Sequence, residues 1–325
     1  MAEDKWQFWI DRGGTFTDLV AQTPQGEIKV HKLLSENVEQ YADAPVQGIK
    51  EVMDLEEESE VPIEDIEVIK MGTTVATNAL LEREGAQTVL VATEGFRDAL
   101  RIGYQERPNI FALDIEKPEM LYEEVIEVEE RFLAQGEELS SLNEEEYQRL
   151  KKELTEAYQS GIESCAVLLM HSYRYTGHEE KIGELAQEIG FTHISLSHQV
   201  NPVIKYVSRG DTTVADAYLS PVLKRYIDDF LAALVGDRKN LRPAEYRDKL
   251  LFMQSNGGLI GADNFKGKDS ILSGPAGGIV GAVEVSKQAG FEKIISFDMG
   301  GTSSDVAHYN GDYERDFTTE IAGVR

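Results

Sequence analysis

Apolar positions fall in short runs along the chain, and their spacing alternates between strand-like and helix-like. Phe8, Trp9 and Ile10 mark a first strand, and the stretches 16–22 and 27–33 read as two more, with Gln25-Gly26 turning between them. Val46, Ile49, Val52 and Met53 recur at helical spacing, which predicts a helix over about 44–55. Strands over 66–71 and 88–92 alternate with helices through Val75, Leu80 and Leu81 and over about 96–102; a strand-like stretch follows at 125–133. Asn143 and Glu146 form a capping box for a helix carrying Tyr147, Leu150, Leu154 and Tyr158, which Gly161 ends. The run 165–170 is continuously apolar, the pattern of a strand buried on both faces of a parallel sheet. Thr176 with Glu179 reads as a second capping box, opening a helix that Gly190 closes before a strand over 193–198.

Asn201-Pro202 marks a boundary, and an amphipathic helix follows over about 212–234, with Pro221 placed to kink or split it. Arg209, Asp211 and Asp216 are assigned to its polar face, in a solvated or interdomain role. A strand over 250–254, a helix opened by SGPAGGIVGA (residues 273–282) and a strand carrying Ile294, Ile295 and Phe297 complete the series. This strand–helix–strand alternation predicts an α/β fold.

Length changes the picture little: 325 residues allow two domains, divided as 1–203 and 204–325. Charge excludes more. A net −27 argues against a nucleic-acid backbone as partner, because that needs clustered Lys and Arg. The lone Cys165 has no internal disulfide partner and sits in an apolar run, as a buried small hydrophobe in a reducing compartment. No stretch reaches 18 apolar residues, so the expectation is a cytoplasmic protein with no membrane partner. The six histidines show no metal-ligand spacing, and no GxxxxGK[ST], GxGxxG or CxxC pattern is present.

The candidate chemistry lies in a repeat. DRGGTFTD, residues 11–18, follows the first apolar run, and DMGGTSSD, residues 298–305, follows the last. The copies share Asp, Gly-Gly-Thr, a hydroxyl residue (Thr17, Ser304) and a closing Asp. Each reads as a tight turn between strands, where glycines let the backbone approach a ligand and successive N–H groups form an anion nest. One Gly-Gly turn would be an ordinary hairpin; two in the same apolar frame point to phosphate. An Asp at each strand end suits a hydrated divalent cation. Gly72, Thr73 and Thr74 end a strand where a helix begins, a place for ligand donors or for simple capping. Arg97, Arg101 and Arg107 either read a carboxylate or neutralise local acids. Gly277 and Gly278 serve close helix packing or close approach of a ligand.

Paired phosphate-binding hairpins resemble the actin/hexokinase/Hsp70 class of ATPases, a ribonuclease H-like α/β fold whose turns grip a nucleotide from both sides of a cleft. More specifically, DRGGTFTD, MGTTVATNALLER, TEGFRDALRIG, VLLMHSY, RGDTTVADAYLSP, MQSNGGL, SGPAGG and FDMGGTSSD, in that order, resemble the hydantoinase/oxoprolinase family. Arg12, where hydantoinase and acetone-carboxylase branches usually carry Val, together with KLLSEN and YADAP, is similar to the 5-oxoprolinase branch.

The resemblance implies ATP-driven hydrolysis of 5-oxo-L-proline to L-glutamate in the glutathione cycle, with ADP and phosphate released. It implies that Asp11 and Asp298 are catalytic and hold Mg²⁺ through water, with K⁺ a further candidate ion. Phosphates would be held by Gly13, Gly14, Thr15 and Thr17 on one side and Gly300, Gly301, Thr302 and Ser303 on the other. On residue type, Thr73, Thr74 and Asn78 are assigned to the substrate edge, and Arg97 or Arg107 to its carboxylate. Family chains continue past the position of Arg325. The expectation is therefore a truncated second lobe, inactivity of this fragment alone, and as partner the missing C-terminal part or a B-type subunit, with a homodimer also a candidate. Alternatives are a hydantoinase or ketone-carboxylase subunit of the same family, or a non-catalytic actin- or Hsp70-like scaffold.

Overall fold

The computed structural model describes residues 5–56, 58–105, 111, 113–114, 117, 119–236, 246–299, 304–314, 320–321 and 323–324. In chain order the strands are β1 (Trp6–Arg12), β2 (Phe16–Gln22), β3 (Ile28–Leu34), β4 (Ile66–Thr73), β5 (Thr88–Thr93), β6 (Glu124–Val128), β7 (Arg131–Phe132), β8 (Glu138–Ser140), β9 (Ser164–Leu168), β10 (His193–Leu196), β11 (Leu250–Met253), β12 (Leu259–Gly261), β13 (Lys293–Met299) and β14 (Ser304–Asn310). The helices are α1 (Ala44–Val52), α2 (Val75–Glu82), α3 (Ala99–Ile102), α4 (Glu144–Gln159), α5 (Gly177–Ile189), α6 (Ser197–Val200), α7 (Tyr206–Val235) and α8 (Ser273–Gln288). They divide into two compact units, Met1–Asn78 with Leu223–Arg315 and Ala79–Val222 with Asp316–Arg325.

The first unit is built on a six-stranded sheet of order β12-β11-β4-β1-β2-β3. β1, β2 and β3 form an antiparallel meander, while β4 lies parallel to β1 and β11 parallel to β4. The carboxyl ends of β1, β4 and β11 therefore meet at one edge, the edge where open α/β sheets hold ligands. Alternation explains which way each strand faces: Phe8 and Ile10 on β1 and Leu19 and Ala21 on β2 are buried. α1 packs on this sheet; Asp43 accepts from Val46 N at 2.9 Å as its cap, and Pro45 occupies its first turn. α8 lies against β4 and β11 and also against the hairpin of β13 and β14.

The second unit holds a parallel sheet of order β10-β9-β5-β6. β5 and β9 are buried along their whole length, as their unbroken apolar runs predict. Val89, Val91, Leu150, Leu154, Cys165, Val167, Ile182 and Leu185 form its core, where burial pushes the Cys165 thiol up to about 12 and keeps it a thiol.

Several local expectations change. α7 runs unbroken from Tyr206 through Pro221 to Val235. Proline has no N–H, so the Ala217 carbonyl loses its helical donor; Ser164 Oγ takes that place at 2.7 Å. Arg209 and Asp216 are not solvated but buried. Arg209 donates to Leu169 O at 2.7 Å, Val203 O at 2.8 Å and Ser197 Oγ at 3.0 Å. Thr176 makes no side-chain cap, and Glu179 turns inward to accept from Leu169 N, Ser197 Oγ, His198 N and His198 Nδ1 at 2.6–3.1 Å. The strand expected over 193–198 stops at Leu196 because Ser197 and His198 are bound to that carboxylate within a helical turn. The strand expected over 125–133 breaks after Val128, where buried Glu130 meets Thr93 and His178.

Candidate active site

The first hairpin closes as a tight turn: Gly13 N donates to Phe16 O at 3.0 Å. A Cβ on Gly13 would lie 3.1 Å from that oxygen, which is why glycine stands there. Gly14 and Thr15 are exposed at the tip, where Thr15 O accepts from Ser35 N at 2.9 Å. Thr17, by contrast, is fully buried and shares a 3.0 Å hydrogen bond with Ser35 Oγ. Ser35 Oγ also donates to Gly13 O at 2.7 Å. Thr17 thus braces the turn from beneath, and Ser35, which composition did not single out, locks it.

Asp11 and Asp18 oppose each other across β1 and β2, with Arg12 opposite Thr17. The second hairpin repeats this register, with Asp298 opposite Asp305 and Met299 opposite Ser304. The sequence repeat is therefore a repeat of strand pairing. Gly300, Gly301, Thr302 and Ser303 lie outside the described residues, as does Arg107.

Within the first unit the two hairpins bear on one place. Asp11 keeps exposed surface, yet the protein crowding its carboxyl raises its pKa, and the charges of Asp18 and then Asp298 raise it further against the pull of Lys32. Lys32 Nζ holds both oxygens of Asp18 at 2.8 Å. This concentration of negative charge fits a cation. Among the described residues no group of three His, Cys, Asp or Glu side chains is arranged to hold a metal directly. An ion here would need water and ligand oxygens as well, as Mg²⁺ prefers.

β4 delivers its end beside Asp11. A Cβ on Gly72 would come 3.1 Å from Asp11 Oδ1, so only glycine leaves the carboxylate its position. Thr73 Oγ1 accepts from Val75 N at 3.2 Å to start α2, and Thr74 and Asn78 are half-buried on its first turns. Ser273 Oγ donates to Thr73 O at 3.0 Å, tying the start of α8 to the same strand end. α8 begins without a side-chain cap, but Ser273 N is bonded to Ser270 O, Ala276 N to Leu272 O, and Pro275 has no N–H, so it is chiefly the positive dipole end that it offers an anion. Further along, a Cβ on Gly278 would sit 3.8 Å from Asp298 Oδ2, while one on Gly277 would touch Met253 at 3.6 Å. Both are ordinary contacts, so Gly278 faces the site and Gly277 serves packing.

On the other face of β1, Arg12 lies over the ring of Tyr226, 5.1 Å from its centroid. Tyr226 is buried, and burial raises its phenol to about 12. Arg97 belongs to the second unit, where its Nε meets Glu127 Oε2 at 3.3 Å; Gly95 N and Arg97 N bind the other oxygen of that carboxylate. Asp11, Gly13, Gly14, Thr15, Thr73, Thr74, Asn78 and Asp298 are thus in one unit and Arg97 in the other.

Residues 7–190 match the family described as hydantoinase/oxoprolinase N-terminal region, and residues 209–325 match that described as hydantoinase/oxoprolinase. The chain is 44% identical over 346 residues to 5-oxoprolinase 1 of Arabidopsis thaliana, an alignment covering 99% of this chain and 27% of that protein. Among solved structures, the ATP-dependent caprolactamase of Pseudomonas jessenii is similar with a TM-score of 0.75 and 27% identity, over 93% of this chain and 43% of that one. A nucleotide-free acetone carboxylase is similar with a TM-score of 0.79 and 20% identity, over 98% of this chain and 46% of that one. The fold is that of the actin/hexokinase-like ATPases, mixed α/β.

Proposed function

The chain belongs to the hydantoinase/oxoprolinase family, and from that premise we propose that it forms the nucleotide-clamping part of an enzyme that uses ATP to open 5-oxo-L-proline to L-glutamate. The observation that carries the reading is the pairing of mirrored hairpins in which Asp298 adds its charge to that already raising Asp11. A lactam is resonance-stabilised, so its hydrolysis needs a coupled source of free energy. Mg-ATP would supply a phosphoryl group for the lactam oxygen, leaving ADP. One water would then add at that carbon, the C–N bond would open with the nitrogen leaving as the amine to give an acyl phosphate, and a second water would displace phosphate to leave L-glutamate.

The chain's residues bind, orient and neutralise. Asp11 and Asp298 hold the hydrated cation and are the catalytic carboxylates. Gly14 and Thr15 would present backbone N–H groups to phosphate on one side, with Gly13 closing the turn beneath them, and Gly300, Gly301, Thr302 and Ser303 are assigned to phosphate on the other. Thr17 supports this nest from below through Ser35. Each N–H that meets charge developing in transfer is worth about 3 kcal/mol, by analogy with oxyanion-hole deletions. Thr73, Thr74 and Asn78 line the substrate edge. Arg97, already bound to Glu127, is the weaker candidate for the substrate's carboxylate.

The reading places the reaction in the glutathione cycle, in the cytoplasm, with K⁺ as an accessory ion. Its partner would be further polypeptide of the same protein or a B-type subunit, in keeping with the 27% of the Arabidopsis relative that this chain spans. Among the described residues no helix is long and apolar enough to cross a membrane. The test is ADP release by the complete protein with 5-oxoproline, hydantoins and acetone in parallel. Release stimulated by 5-oxoproline and abolished by Asp298→Asn supports the reading. Stimulation by hydantoin or acetone alone moves it to another branch, and substrate-independent ATPase activity moves it to a scaffold.

A further inference from the structure

Tyr226 lies in the first unit, 9% exposed, and its hydroxyl is buried with no hydrogen-bond partner among the described residues. Arg12 and Thr73 both stand within reach of it, yet neither meets it in hydrogen-bonding geometry. A buried hydroxyl left unsatisfied is costly, and folds seldom keep one without use. The Arg12 guanidinium rests over the Tyr226 ring, 5.1 Å from its centroid. Among the described residues it forms no ion pair. Arg12 and Thr73 are directly paired at the ends of β1 and β4, so their side chains share a face, and Tyr226 covers them. The acid facing this corner is Asp43, which feels the charge of Arg12, and Asp229 lies near Asp43 in turn. Asp43 is already engaged, accepting from Val46 N at 2.9 Å, and Asp229 is exposed.

From this geometry we infer that Arg12 and Tyr226, with the Thr73 hydroxyl beside them, form a carboxylate-reading corner that selects an acidic lactam over a neutral one. The corner offers one cation and hydroxyl donors at a strand end, which suits two acceptor oxygens bearing one negative charge. The two nearby acids disfavour a multiply charged phosphate at the same place. Asp11 and Arg12 are adjacent on a strand and project to opposite faces of its end. Phosphate chemistry and carboxylate recognition are therefore carried by neighbouring residues of one motif. The assignment replaces Arg97 in this role and rests on the ring-opening reading above.

The test is calorimetric binding to the complete protein, with a non-hydrolysable ATP analogue present, of 5-oxo-L-proline and of 2-pyrrolidinone, the same ring without its carboxylate. Arg12→Gln should weaken 5-oxoproline about 10- to 100-fold, and Tyr226→Phe about 3- to 10-fold, while 2-pyrrolidinone and the analogue change less than about 2-fold. Arg12→Lys should recover part of the loss. Tyr226→Phe removes a single oxygen, so it keeps the test valid should Arg12→Gln fail to fold. Equal weakening of both lactams, or undiminished 5-oxoproline binding in the variants, overturns the corner and leaves the ring-opening reading standing. A wild-type protein that binds no 5-oxoproline overturns both.

Discussion

Gly72 stands so close to Asp11 that a Cβ there would lie 3.1 Å from Oδ1. The backbone of β4 thereby sets where the carboxylate of β1 can be. Gly72→Ala should push that carboxylate aside while leaving the parallel pairing of the strands intact. The expected cost is about 1–2 kcal/mol of stability, typical of mild overpacking, with kcat/KM falling by more than about 10-fold, the effect of misplacing a positioned group. Urea unfolding and ADP release, measured on the same variant, separate the two.

Ser164 Oγ supplies the donor that Pro221 denies to Ala217 O. Ser164→Ala should destabilise the protein by about 1–3 kcal/mol, the cost of a buried carbonyl left unpaired. Pro221→Ala restores a helical N–H, so the same Ser164→Ala substitution should cost much less in that background. A double-mutant cycle from chemical denaturation measures this coupling.

His178 is buried between Glu130 and Glu138, at 2.8 Å from one carboxylate and 3.1 Å from the other. Burial pulls its pKa down, but the hydrogen bonds and charges of both glutamates outweigh it and leave the pKa raised above 6.5. The stabilisation is therefore complete below pH 6.5 and fades as pH rises through the folded value. Tm should fall over that window in the wild type and show a flatter profile in His178→Gln.

Ile295, Phe297 and Met299 on β13 and Val306 on β14 are 64–78% exposed. A two-stranded sheet with such a face is a poor free surface. Expressed by itself, the 325-residue chain should bind an apolar-sensing dye and sediment with concentration-dependent mass. Ile295→Lys with Val306→Lys should reduce both signals.

Much of this was legible in the residues. The DRGGTFTD and DMGGTSSD repeat predicts two hairpins, and the strand register bears that out in Asp11↔Asp18 and Asp298↔Asp305. The apolar run through Cys165 likewise appears as a buried parallel strand. What escaped were polar residues whose partners lie far along the chain. Glu179 has the spacing of a capping residue, but Ser197 and His198 claim its carboxylate from 18 and 19 positions away. Arg209 looks like a solvated helix residue until Leu169 O and Ser197 Oγ close around it. Pro221 reads as a breaker because local pattern does not include Ser164. Arg12 was visible only as a letter in a motif; its place over Tyr226 depends on a pairing across more than half the chain. Periodicity reports which face is buried, and it is silent on which distant donor or charge waits there.

The central claim is that both hairpins act on one phosphate–cation assembly. Its most direct test is a double-mutant cycle on 5-oxoproline-stimulated ADP release by the complete protein, using Asp11→Asn, Asp298→Asn and the pair. Each single substitution should lower kcat/KM by at least about 100-fold, and the pair should cost far less than the product of the two, as groups acting as a unit do. Undiminished turnover in either single variant, or losses that simply multiply, would contradict it.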